Sequence, residues 1–222
     1  MSRIFLIILS TLSLANCGGG ASEDSSDRIP TPAPTSEQEL FAKQVLVGSV
    51  VVADEYNRSQ QYPTWDDTDS DCISNRHEVL IAQHINDDEL NPLILRGDGC
   101  AVLSGKWLDP YDDEYYFFAS EVQIDHVVAL YESHLSGSVN FTSSEQRLYA
   151  NTGDKLEGTL PETSHQFLVV GARSNQEKGS KDPKSETNDG WMPNNDDYHC
   201  TYLKKWVQVK YLNGLYLSLI HI

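Results

Sequence analysis

The stretch IDHVVAL, residues 124–130, decides how the chain is read. It closes a β-rich run, EVQIDHVVAL (121–130), that passes into helix-compatible sequence near Tyr131, and it sets Asp125 and His126 side by side. Alternation sends neighbouring side chains to opposite faces of a strand, so the two serve one site only where the strand ends or twists. Taken alone, such a dipeptide is a strand-end hydrogen-bonding pair. As a site it fits metal-assisted phosphodiester cleavage: the carboxylate holds a divalent ion, and the His, outside the metal shell, takes a proton from the attacking water. An ion held by one carboxylate needs a second anchor. SNQEKG (174–179) supplies Asn175, although an isolated Asn there also suits a helix cap or turn.

The elements on either side follow from pattern. NRHEVLIAQHI (75–85) reads as a short helix, and CAVLSGKWLDPYDDEYYFFA (100–119) as a hairpin with an acidic turn around Asp109 to Glu114. HQFLVVGA (165–172) is a second short strand, and RSNQEKGSKDP (173–183) is helix-compatible as far as Gly179 and Pro183. YHCTYLKKWVQVKYL (198–212) forms a closing helix, and Ser36 with Glu39 makes a capping box ahead of LFAKQVLVGSVVV (40–52). The sum is one α+β domain. Trp65, Trp107, Trp191 and Trp206 are core or rim residues in this reading.

Residues 1–16 carry one charge, Arg3, then the apolar run IFLIIL and the segment LSLANC. This is the pattern of a lipoprotein signal ending at Cys17, which becomes the lipidated first residue; the run is too short for a membrane span. Gly18 rather than Asp after the Cys points to the outer membrane, with secretion or the periplasm as the alternatives. Residues 17–36, rich in Gly, Ser, Pro and acid, read as a flexible tether, and 37–216 as the folded domain. The final six residues, LSLIHI (217–222), match one reading frame of a common transposase sequencing adapter, so His221 enters no argument.

The formal net charge of −17 weighs against a polyanionic partner, because phosphate binding depends on local Lys and Arg. The distribution qualifies this: residues 17–165 hold 8 Lys and Arg against 27 Asp and Glu, whereas residues 166–222 hold 7 against 6. A nucleic acid is therefore expected to dock on the last quarter of the chain.

An exported chain can form disulfides. Of the three cysteines after Cys17, Cys72 and Cys100 lie in turn-like sequence (SDCIS, GDGCA) and are expected to pair, leaving Cys200 free or intermolecular. The same region holds a second motif. DDTDSDCISNRHE places Asp67, Asp69, Asp71 and Glu78 at positions 1, 3, 5 and 12 of a calcium-loop pattern, with Cys72 where such loops have Gly. A solvated acidic loop is the competing explanation.

Five stretches in order carry a family resemblance: YNRSQQYPTWDDTDSDCISNRHEVLI, GCAVLSGKWLDPY, IDHVVAL, ARSNQEKGSKDP and CTYLKKWVQVKY. Over residues 56 to about 212 the chain resembles the secreted branch of the GmrSD-type His-Asn-His endonuclease domains. The resemblance implies a ββα-metal core preceded by a helical and hairpin region. In it Asp125 and Asn175 would ligate Mg²⁺ or Mn²⁺ and His126 would be the general base. Lys178, Lys181 and Arg173 would line the scissile phosphate. Where the family has Asn in an NLLAV-like run, Gln166 stands here and is expected to brace the loop carrying His126. The usual KGDKDP reads KGSKDP, with Ser180, and NTGDKLEGTLPETS (151–164) is insertion-like.

The expected function is a lipid-anchored, metal-dependent endonuclease acting on nucleic acid, chiefly DNA, at the cell envelope, with no obligate protein partner. The alternative is a non-catalytic envelope lipoprotein that binds calcium, a glycan or a protein partner on a degenerate nuclease scaffold.

Overall fold

A computed structural model describes residues 55–217 apart from 64, 88, 157, 159 and 184–189. The signal, Cys17, the tether, the Ser36 helix and residues 218–222 lie outside the described residues. Leu217, the first residue of the tail inferred from sequence, is buried in the core.

The chain opens with a short helix, α1 (Arg58–Gln61), capped by Asn57, whose side chain accepts from the Gln60 N–H. Helix α2 (Asn75–Ala82) follows, then a small antiparallel sheet of β1 (Ile94–Leu95), β2 (Val102–Asp109) and β3 (Glu114–Phe118). A second sheet has two antiparallel strands, β4 (Val122–His126) and β5 (Phe167–Gly171), in register Val122 to Gly171 through His126 to Phe167. Between them come α3 (Leu130–Leu135) and α4 (Ser143–Thr152). Helix α5 (Ala172–Lys178) leaves β5 with no linker, and α6 (His199–Asn213) closes the domain. The mixed α+β class and the single domain agree with the sequence reading. The helix at α4 was not anticipated, although Thr142 and Glu145 form a reciprocal capping box that starts it.

The β4–β5 ribbon separates two clusters of buried side chains, and its pleat decides which residue enters which. Val122 and Ile124 pack with Val79, Leu80, Trp107, Phe167 and Val169, while Leu168 and Val170 face the opposite cluster with Tyr62, Tyr111, Tyr202 and Trp206. Covered on both sides, β5 is buried along its whole length, which is why its sequence, FLVVG, is a continuous apolar run. Two polar ties hold the layers: Trp107 Nε1 donates to Leu80 O at 2.8 Å, and the Gly171 N–H donates to Asp109 Oδ2 at 2.9 Å, pinning the β2–β3 turn to the end of β5. Gly171 is constrained as well. A Cβ there would lie 2.4 Å from the Tyr116 hydroxyl, so only glycine lets that ring sit over the ribbon.

Cys72 and Cys100 form a disulfide with a sequence separation of 28, as expected. Closing a loop of that length stabilises the fold by roughly 3–4 kcal/mol in the chain-entropy account. Cys200 corrects the sequence reading: it is disulfide-bonded and not a free thiol.

Candidate functional site

Helix α5 lies against the β4 face that carries Gln123 and Asp125, and three side chains of the helix reach the hairpin region. Ser174 Oγ donates to Asp112 Oδ2 at 3.3 Å, Asn175 Nδ2 to Gln123 Oε1 at 2.7 Å, and Lys178 Nζ to Asp125 Oδ1 at 2.8 Å. The spacing of one helical turn between Ser174 and Lys178 puts both on the inward face. Lys178 gives a second hydrogen bond to His126 O at 2.8 Å, and the Tyr111 hydroxyl donates to Asp125 Oδ2 at 2.6 Å. The ion pair is closed to water, with side-chain exposures of 0% and 3%. Burial first, and then the Asp125 charge, hold the Tyr111 hydroxyl well above its ordinary pKa, so it remains a donor.

His126 takes the other face. Its ring stacks on Trp65 with centroids 5.5 Å apart, meets Phe167 edge-on, and places Nε2 2.9 Å from Ala150 O. A carbonyl only accepts, so Nε2 carries the hydrogen and Nδ1 is the nitrogen able to take a proton. Burial lowers the ring's pKa to about 4, so it is neutral at physiological pH. The hydrogen bond to Ala150 opposes that shift, and the Arg58 charge adds to it. The loop after His126 is braced from β5: Gln166 accepts the Val128 N–H at Oε1 (3.0 Å), and its Nε2 donates to Val128 O (2.8 Å) and to the Tyr149 hydroxyl (2.7 Å). Gln166 thus positions the loop.

A groove of about 580 Å³ runs beside this region, lined by Tyr56, Arg58, Leu130, Tyr131, Asn175 and Ser180. Tyr56 and Tyr131 pack edge to face at 5.1 Å, and Tyr131 remains well exposed.

The residues singled out from sequence are therefore only partly assembled. Asp125, Lys178 and Asn175 share one face, and Asn175 reaches the groove, whereas His126 points to the opposite side of the same strand. Both Asp125 and His126 lie inside β4 rather than beyond its end, so alternation separates them. Lys178 does not stand where a phosphate could meet it, because its helical position aims the ammonium at a buried carboxylate. Arg173 pairs with Glu177 at 2.8 Å, and Lys181 Nζ donates to Glu177 O at 2.8 Å; both are exposed.

A search of curated proteins finds a relative 31% identical over 216 residues, which covers 95% of this chain and 89% of the relative: an uncharacterized secreted protein of Arthroderma benhamiae (strain ATCC MYA-4681 / CBS 112371). The chain belongs to the family of that secreted protein. The relative's secretion supports export of this chain too. No family model and no solved structure matches.

Arg58, Tyr56 and Tyr131 were missed as groove residues. The charge count had sent any polyanion to the last quarter of the chain, yet the cation that lines the groove is Arg58. A count along the sequence cannot see that α1 folds back beside α5. The signal lay in YNRSQQYPTW, which contains Tyr56 and Arg58.

Proposed function

We propose that this exported protein is a metal-dependent endonuclease that hydrolyses nucleic-acid phosphodiester bonds, DNA in the first instance, on a ββα-metal core of the His-Asn-His type built from β4, β5 and α5. The observation that carries the reading is the order strand, antiparallel return strand and directly attached helix, with Asp125 on the first strand and Asn175 on the helix that covers it. With Nε2 committed to Ala150, Nδ1 is the nitrogen of His126 that a general base would use. Tyr56, Arg58 and Tyr131 offer a nucleic-acid strand one cation and aromatic faces.

Asp125 and Asn175 are the residues that would hold the divalent ion, Mg²⁺ or Mn²⁺. Their donor chemistry fits a hard cation, since both offer oxygen and a carboxylate has about four lone-pair sites, two of which Tyr111 and Lys178 use. When bound, such an ion polarises the phosphoryl oxygen and stabilises the charge that develops on it. Lys178 competes for the same carboxylate. That competition, with His126 on the far face, favours a second reading: a non-catalytic envelope protein on the same scaffold.

Binding of a fluorescent DNA oligonucleotide in the presence of chelator tests the groove apart from chemistry. Arg58→Gln is expected to weaken binding and to reduce the salt slope of log K by about one. Lys106→Gln, at a β2 residue whose ammonium pairs with Asp87, should leave both unchanged. Equal losses from the two variants would remove the groove from the account.

A further inference from the structure

We propose that the groove beside Asn175 takes unpaired nucleic acid, as a single strand, gap or loop, in preference to a duplex. The inference rests on the nuclease reading for the kind of occupant and adds its substrate class. Tyr131 carries it. The residue is 42% exposed and lines the groove. Among the described residues its ring meets one other, that of Tyr56, edge to face at 5.1 Å. Tyr56 in turn packs against the buried rings of Tyr62 at 5.7 Å and His134 at 5.4 Å. The inner ring is thus fixed by the core, and the outer one is held beside it with open surface. A base stacks on such a ring whatever its identity, because every base has a π-face. In a duplex that face is covered by the neighbouring base pairs, and a protein reaches only the edges in the grooves unless the base is flipped out.

Charge points the same way. Arg58 is the one charged side chain among the described residues that line the groove, on a chain whose formal net charge is −17. A duplex presents one phosphate charge per about 1.7 Å of its axis, and a protein that holds it neutralises several phosphates at once with Lys and Arg. The cations of α5 and the turn after it do not make up such a track. Lys178 is buried against Asp125, Arg173 is paired with Glu177, and Lys181 is directed back to Glu177 O. A single strand asks for less, because its binding is divided between phosphate contacts and stacking, and each phosphate contact releases fewer counterions than on a duplex. Size agrees: about 580 Å³ is the volume of a small-ligand pocket. Asn175 lines the same groove, so a nucleotide stacked on Tyr131 shares it with the helix-borne member of the Asp125–Asn175 region.

The test titrates the disulfide-intact chain, in chelator, into two fluorescent DNA oligonucleotides: a single strand of about 12 nucleotides, a length typical of single-strand sites, and a hairpin duplex of the same sequence. The single strand is expected to bind about tenfold or more tightly than the duplex. Tyr131→Leu keeps apolar bulk and loses the ring; it should weaken single-strand binding about tenfold, the scale of one stacking platform, and leave the salt slope unchanged. Tyr131→Phe, which keeps the ring, should bind as the wild type does. Equal or tighter binding of the duplex by the wild-type chain would overturn the proposal, and that comparison stands whether or not Tyr131→Leu folds. Full affinity in a folded Tyr131→Leu chain would overturn it as well, and so would no binding of either oligonucleotide. Because binding is read without metal, the two accounts fail separately. Chelator-sensitive nicking without a single-strand preference removes this inference alone, and single-strand binding through Tyr131 without nicking removes the nuclease reading alone.

Discussion

His126→Ala is expected to cut nuclease turnover by about 10²-fold or more, the usual scale for losing a positioned acid-base group, while leaving divalent-metal affinity unchanged. The ring's surroundings give the reason. Nε2 is bound to Ala150 O, burial keeps the imidazole neutral, and Nδ1 is the remaining acceptor. His126 is also a packing residue, stacked on Trp65 and against Phe167, so truncation removes contacts as well as a base. His126→Gln separates the two effects. Its amide can still donate to Ala150 O, yet it has no nitrogen basic enough to take a proton from water. A catalytic role predicts that Gln restores the thermal midpoint and not the turnover. A structural role predicts that both return together. Kinetics and thermal melts of the two variants decide between them.

Lys178→Met is expected to lower folding stability by about 3–5 kcal/mol, the cost of leaving one member of a buried ion pair unpaired. Asp125 would keep its bond from Tyr111 but lose the ammonium 2.8 Å from Oδ1. Adding Asp125→Asn to Lys178→Met should recover part of the loss, because the double variant leaves no uncompensated charge in the core. The same variant examines metal ligation. If Asp125 is a metal ligand, Mg²⁺ or Mn²⁺ should raise the denaturation midpoint of Lys178→Met more than that of the wild type, since the ion supplies the missing positive charge. A midpoint indifferent to either ion would mean that Asp125 serves the fold alone. Chemical denaturation with and without metal reads both outcomes.

The elements around the site were legible because each has a strong local signature. The continuous apolar run of β5 follows from its burial on both faces, and the acidic turn at Asp109–Glu114 joins β2 to β3 where the pattern placed it. The disulfide at Cys72 was also legible from turn-like sequence and compartment. Side-chain direction was less so. Nothing local says that Lys178 turns inward to a carboxylate 53 residues earlier, since a lysine on a short helix is by default a solvated one. The split of Asp125 from His126 follows from the strand continuing through both, and strand ends are the least certain feature of any pattern. Helix α4 carried a readable start signal at Thr142 and Glu145, and the largely polar composition of SSEQRLYANT hid the rest. The calcium-loop spacing was read from sequence, and the structure brings one carboxylate oxygen each of Asp67, Asp69 and Asp71 within 4.8 Å of one another, all three residues being exposed.

The most direct measurement is nicking of supercoiled plasmid by the purified wild-type chain in Mg²⁺ or Mn²⁺, with and without chelator, beside His126→Gln at matched folded concentration. Nicking by the wild type that chelator abolishes, and that the folded His126→Gln variant lacks even with excess metal, is the result expected of a metal-dependent endonuclease with His126 as its base. Absence of chelator-sensitive nicking by the folded wild-type chain, or equal nicking by His126→Gln, would contradict it.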